Sequence, residues 1–209
     1  MITNFFYGFL VTISISLIVF ILSCVCGFLL EVLRRKFSFR IIDFYVDFFR
    51  SVPLLILLYL VYFGLPSLNI SLDSISCGII CMILYFSSYF SEIFRMGFNN
   101  IQKSQIDAAY ALGFSSFQGF YYIHSFEFFR FLIPSIFNQF IIIVKDSSIL
   151  SILSISELTF VTTKMMNENF EVFPYLVISA ILYWILSEFI SCLSKFFQRF
   201  FFKSQEYIE

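Results

Sequence analysis

The chain has 209 residues, 60% hydrophobic and 13% charged, with a formal net charge of −1 and a mean hydropathy of +0.91. Soluble domains carry about 25% charged residues, so this composition excludes an ordinary soluble fold and puts the chain in the membrane class. The near-neutral balance gives no ground for binding nucleic acid or acidic substrates, and the 33 Phe residues add apolar bulk without chemistry.

A bilayer-spanning helix needs about 20 mainly apolar residues. Phe5–Leu30 carries no charge. No basic stretch precedes it and no small-residue cleavage site follows, which predicts a retained membrane helix rather than a leader. Ser51–Leu72 and Ser74–Ser91 are also free of charge, apart from neighbouring Asp73. Pro53 is predicted to start or kink the second helix, and Gly64-Leu65-Pro66 to end it early. Phe131–Val144 is shorter and continues past Lys145 and Asp146 through Ile149–Ile155. Val172–Ser187 runs on past Glu188 to Leu193. The expectation is an all-α integral membrane protein, one domain over residues 1–209, with about five transmembrane helices. Glu31 and Glu188 fall near membrane edges, where snorkelling or pairing is expected. Trp184 and the Tyr residues near segment ends fit interfacial anchors. Cys24, Cys26, Cys77, Cys81 and Cys192 all lie in apolar runs and read as buried thiols. Cys77 and Cys81 share a helical face but are too few for a metal site.

Loop charge orients the spans. Arg34, Arg35, Lys36, Arg40 and Arg50 follow the first; Arg95, Lys103 and Arg130 lie between the third and fourth; Lys195, Arg199 and Lys203 follow the fifth. Cytoplasmic loops are the Lys/Arg-rich ones. The N-terminus is therefore expected outside and the C-terminus in the cytoplasm. No inverted repeat is visible, which argues against a self-contained secondary transporter. No Gly-x-x-x-x-Gly-Lys-Ser/Thr loop occurs, so ATP is not expected to bind this chain.

The segment between Tyr89 and Pro134 is more polar than its surroundings. Gln105–Leu112 favours helix through Ala108, Ala109, Ala111 and Leu112, with Asp107 near the favourable N-terminal dipole. Gly113 is predicted to end it in a left-handed C-cap, and Ser115 or Ser116 to cap a second short helix through Phe117–Tyr122. The product is a cytoplasmic helix-turn-helix over residues 99–130, between the third and fourth spans. Small Ala side chains would let another protein's groove approach the backbone; the competing reading is an amphipathic helix lying on lipid. His124, the only His, is expected in a solvated or packing role.

Asp107-Ala108-Ala109-x-x-x-Gly113 resembles the Glu-Ala-Ala-x-x-x-Gly loop of ABC importer permease subunits. Phe49-Arg50-Ser51-Val52-Pro53-Leu54-Leu55, Tyr62-Phe63-Gly64-Leu65-Pro66, Glu92-Ile93-Phe94-Arg95-x-Gly97, Asn138-Gln139-Phe140, Lys145-Asp146-Ser147-Ser148 and Glu157-Leu158-Thr159 resemble the polar amino-acid uptake subfamily, in order and at its spacing. Three positions depart from the pattern: Asp107 replaces Glu, Ser51 replaces Gly, and Ser125-Phe126 stand where Leu-Pro is common. The resemblance implies a permease subunit without enzymatic activity or cofactor of its own. It implies a second permease subunit (the same chain or a paralogue) and an extracytoplasmic amino-acid-binding protein. It also implies a cytoplasmic ATPase dimer that carries the ATP and magnesium. Asp107, Ala108, Ala109, Leu112 and Gly113 would couple to the ATPase. Charges inside the membrane are costly and mark functional sites by default, so Lys145, Asp146, Ser147, Ser148 and Glu157 are candidate substrate-path residues. The alternative is a structural charge network among the helices. A non-transporting scaffold that docks a cytoplasmic protein is the competing function, although a scaffold has little reason to place Lys145–Ser148 within a span.

Overall fold

The computed structural model describes residues 2–37 and 40–202; Lys203, counted above among the basic residues, lies outside the described residues. Among those described there are nine α-helices and no strand. In order they are α1 (Ile2–Phe37), α2 (Arg40–Ser51), α3 (Leu54–Gly64), α4 (Ser74–Asn99), α5 (Lys103–Ala111), α6 (Ser116–Gly119), α7 (Ser125–Asp146), α8 (Leu158–Asn169) and α9 (Phe173–Phe202). α1 has 36 residues, about 54 Å at helical rise. A hydrocarbon core of about 30 Å cannot contain it, so its last turn, with Arg34, Arg35 and Lys36, projects beyond the apolar slab.

Among the described residues, four stretches are long and apolar enough to cross a membrane: Thr3–Phe37, Ser74–Asn99, Ser116–Leu153 and Phe173–Phe200. The second predicted span, Ser51–Leu72, is not one straight helix. α2 and the Leu54–Leu68 stretch meet at 104°. Pro53 stands at the N-cap of α3, lacking an N–H and disfavouring helix at the residue before it. α3 ends at Gly64 and passes into a 3-10 turn, Leu65–Leu68, closed by Asn69 at φ 60°. Together they reach about 25 Å, short of a full crossing.

A further expectation is corrected. The second short helix does not stop at Tyr122. α6 leads through a wide turn at Phe120–His124 into α7, then a 3-10 turn at Ser147–Leu153, and Ser116–Leu153 is one candidate span. Pro134 sits inside α7 without ending it. The Glu157–Glu171 segment, between the fourth and fifth predicted spans, contains α8. Its Thr159, Val161, Thr162 and Thr163 are weak helix formers, and packing decides the outcome: Leu158, Val161 and Met165 are buried with Phe5 of α1 and Tyr175 of α9.

The main core lies among α1, α3, α4 and α7. Val19, Leu58, Met82, Phe86, Phe90, Leu132, Ile143 and Leu150 are almost wholly shielded there, as are Cys77 and Cys81. Cys192 instead is exposed, on an outward face of α9. Trp184 sits near the middle of α9, exposed, away from either helix end. α1 and α4 form the most extensive helix pair. They approach backbone to backbone at Gly27, as small residues permit in membrane bundles. Asp73 caps α4, accepting from the Ser76 N–H at 3.1 Å, and this bonding holds its carboxyl below the usual range.

At the basic end of the bundle a charge network joins three helices. Glu92 of α4 accepts from Arg34 of α1 at 2.8 Å and from Arg95 at 2.7 and 2.9 Å, and lies 3.6 Å from Arg50 of α2. Arg34 also reaches Asp43 of α2 at 2.7 Å. Arg35 bonds Glu31 at 2.6 Å and Asn99 at 2.6 Å. Glu31 is thus buried and paired rather than snorkelling.

Candidate functional site

The polar segment after α4 folds into a compact hook. α5 starts at Lys103, two residues earlier than predicted, so Asp107 lies in its second turn rather than at the dipole end. Gly113 has φ +84°, a conformation that costs only glycine little. The Gly113 N–H bonds the Tyr110 carbonyl at 2.9 Å and the Phe114 N–H bonds the Ala109 carbonyl at 3.1 Å. This pair of bonds is a Schellman stop. Ser115 then caps α6 in a reciprocal capping box with Gln118: the Gln118 N–H donates to Ser115 Oγ at 3.4 Å and the Ser115 N–H to Gln118 Oε1 at 3.0 Å. Tyr110 and Ser116 hydroxyls bond at 2.9 Å, tying α5 to α6.

The five residues predicted for docking divide between two faces. Asp107, Ala108, Leu112 and Gly113 are exposed, Leu112 at 73%. Ala109 is only 4% exposed and faces inward: a Cβ at Gly119 would stand 3.3 Å from Ala109 Cβ. Ala109 and Gly119 are the close contact that lets α5 lie against α6. The outer face also carries Tyr110, Phe117, Tyr121 and Tyr122, all exposed, which the sequence pattern did not single out. Beneath α5 lies a cavity of about 230 Å³ lined by Arg35, Phe98, Ile106, Phe120 and His124 among others. His124 is buried, so its role is packing.

The candidate path residues separate as well. Lys145 and Ser148 line a groove of about 550 Å³ with Thr159, Tyr183, Trp184 and Ser187. Asp146, half-buried, lies within electrostatic reach of the Tyr85 phenol of α4, whose hydroxyl bonds Tyr89 at 3.0 Å. Adjacent helical residues diverge, and the two charges serve different sides of α7. Ser147 is buried and donates to the Val144 carbonyl at 2.7 Å.

Glu157 lies apart from both groups, at the start of α8. It is 0% exposed and its carboxylate is fully used. Oε1 accepts from the Phe160 N–H at 2.7 Å, and Oε2 accepts from the Thr159 N–H at 2.9 Å and Tyr183 Oη at 3.0 Å. Burial raises its carboxyl above the ordinary range, against the pull of these donors. Glu157 is the N-cap of α8 and its tie to α9. Glu157→Ala is expected to cost about 2 kcal/mol, the sum of a lost cap and stranded donors. Glu157→Gln, which keeps one acceptor, should lose roughly half of that; thermal unfolding of both purified variants checks it.

Membrane-length helices thus carry a capped two-helix hook at one end of the bundle. The model of the binding-protein-dependent transport system inner membrane component family matches residues 20–203, and the chain belongs to that family. It is the transmembrane permease subunit of an ABC importer. Its relatives include a probable glutamine ABC transporter permease, GlnM of Bacillus subtilis, 30% identical over 86% of this chain and 85% of that one. A putative glutamine transport permease, GlnP of Rickettsia typhi, is 32% identical over 92% and 90%. A crystal structure of an amino acid ABC transporter with histidines matches 94% of both chains at TM-score 0.88 and 22% identity. An inward-facing form of the MetNI methionine transporter matches 96% of this chain and 95% of that one at TM-score 0.70 and 17% identity. At such identities the structural likeness speaks for the fold.

Proposed function

We propose that the chain carries a polar amino acid, driven by separate ATPase subunits that dock on α5 and the Leu112–Ser115 turn. The supporting observation is the pre-organised hook: a Schellman stop and a capping box back to back, with Tyr110, Leu112 and Phe117 turned outward. The names of relatives matched along nearly the whole chain support the cargo class. A stiff hook transmits a push, and an importer needs a bistable membrane dimer whose states the ATPases bind unequally. ATP and magnesium then belong to a cytoplasmic ATPase dimer. A second permease subunit completes the pathway, and an extracytoplasmic binding protein delivers the amino acid. The Lys/Arg-rich end, with the hook, is the cytoplasmic one, which puts the N-terminus outside in a bacterial inner membrane. Lys145 and Ser148 on the α9 side and Asp146 on the α4 side are the groups that meet the zwitterion. Ser147 and Glu157 hold the backbone around them.

Leu112 separates docking from folding better than Ala109, whose side chain is internal. Leu112→Asp is expected to leave yield and unfolding temperature unchanged while reducing substrate-stimulated ATP hydrolysis at least about tenfold, the effect of losing one apolar anchor of an interface. Unchanged stimulation would sink the docking assignment. Affinity purification from native membrane in mild detergent tests the whole reading. A stoichiometric ATPase in the eluate, and a second permease chain or copy, is the expected result. Recovery without any ATPase, under conditions that keep a control importer intact, points to a scaffold.

A further inference from the structure

We propose that α2 is an in-plane membrane anchor: its stripe of Ile41, Phe44 and Phe48 lies among acyl chains at the bilayer boundary, and Lys36 and Arg40 hold anionic lipid headgroups beside it.

At about 100° per residue, α2 has three faces. Ile42 and Val46 are buried, and Phe49 beside them packs on the main core. Asp43, Asp47 and Arg50 form a polar face, tied to the bundle through the Arg34–Asp43 pair at 2.7 Å. The third face is apolar and uncovered: Ile41 is 79% exposed, Phe44 72% and Phe48 41%, and the Phe44 and Phe48 rings stack at 6.2 Å. Tyr45, bonded to the Leu84 carbonyl at 2.6 Å and to Ser87 Oγ at 2.7 Å, fixes the helix on α4 so that this third face points away from the protein. An apolar face of this kind in water would be costly.

Position and charge identify what covers it. α2 follows α1, whose exposed Leu29, Leu33 and Phe37 recur every fourth residue along a lipid-length helix. α2 begins just past the basic end of the α1 span, and the chain turns through 104° between α2 and the Leu54–Leu68 stretch. Lys36 and Arg40 flank the start of the stripe, both exposed, and among the described residues neither has a carboxylate partner. Arg34, by contrast, is consumed by Glu92 and Asp43. An amphipathic helix lying at the interface with exposed cations at its edge is drawn to anionic lipid by both terms.

The test uses the full chain with its five cysteines replaced by serine, a spin label at Phe44→Cys or Asp47→Cys, and vesicles of phosphatidylcholine with or without phosphatidylglycerol. The label at Phe44→Cys is expected to collide with oxygen and be shielded from an aqueous nickel chelate, and the label at Asp47→Cys to behave oppositely. Equal access of the chelate to both positions would overturn the proposal. So would shielding of the Phe44→Cys label from both reagents, which would mean that protein, a second copy or another subunit, covers the stripe. Phosphatidylglycerol is expected to deepen the Phe44→Cys label, and Lys36→Gln with Arg40→Gln to abolish that shift; a shift unaffected by the double change overturns the headgroup assignment. If the cysteine-free protein does not fold, Phe44→Trp in a Trp184→Phe background, quenched by brominated acyl chains, reads the same depth with every thiol kept. Absence of quenching there is again the overturning result.

Discussion

Gly27→Ala is expected to lower the unfolding temperature, although alanine is the better helix former. A Cβ at position 27 would stand 2.8 Å from the Ser91 backbone nitrogen and 2.9 Å from the Ser87 carbonyl oxygen, and would collide with Phe90 Cβ. These are atoms of α4's main chain and its first side-chain carbon, so no rotamer change relieves them. α4 cannot withdraw cheaply, because Met82, Phe86 and Phe90 sit in the main core. Overpacking costs about 1–3 kcal/mol; replacing helical Gly by Ala returns up to about 1 kcal/mol. Steric cost wins, and a net loss of about 1–2 kcal/mol corresponds to about 2–8 °C for a chain of this size. Gly27→Leu should prevent α1 from seating on α4 and remove the monodisperse species altogether. Gly64→Ala is the control: nothing lies within 4 Å of its Cβ position, so its unfolding temperature should not fall. Equal temperatures for Gly27→Ala and the parent would show that α1 and α4 are not held at this crossing.

What was legible in the sequence divides along physical lines. The long spans were readable because about 20 uncharged apolar residues have one cheap environment. Gly113 was readable because the left-handed stop has a single favoured residue, and Ser115 because a side-chain acceptor at an N-cap is a local device. Features that depend on a distant partner were not readable. That Ala109 faces inward is decided by Gly119 on the next helix, and nothing in Asp107–Gly113 records it. The turn at Pro53 was anticipated as a start or kink, but its 104° angle follows from α2 docking on α4 through Tyr45. α8 is not legible because its β-branched residues argue against helix, whereas three buried apolar side chains and a saturated cap argue for it. The capping role of Glu157 likewise depends on its surroundings. A carboxylate amid apolar residues reads as functional, and the backbone N–H groups of Thr159 and Phe160 occupy it. The network at Glu92 was visible only as charge in a motif; its main partner, Arg34, lies 58 residues earlier.

Glu92→Gln should have an effect larger than its one lost charge would suggest. Glu92 is 6% exposed and serves Arg34 and Arg95 by direct bonds, with Arg50 at 3.6 Å. Neutralising it leaves Arg34, whose side chain is 14% exposed, with Asp43 as its close remaining partner and Glu31 at 3.6 Å. Removing one partner of a buried ion pair costs about 3–5 kcal/mol, mostly through the stranded charge; the exposure of Arg50 and Arg95 puts the expectation at the low end, about 3 kcal/mol or about 6–12 °C. The stranded-charge account makes a second demand. Arg34→Gln combined with Glu92→Gln should be less damaging than the sum of the single changes, since removing both charges leaves less unpaired. The exposed Lys164–Glu168 pair, 3.8 Å apart on α8, sets the scale for an ion pair in water, and Lys164→Gln should shift stability by less than about 1 kcal/mol. Thermal unfolding of the four variants in one detergent decides between the accounts. Additive losses at Arg34 and Glu92 would mean that the two side chains stabilise the helices separately, by packing, and that the network joining α1, α2 and α4 is geometry without coupling.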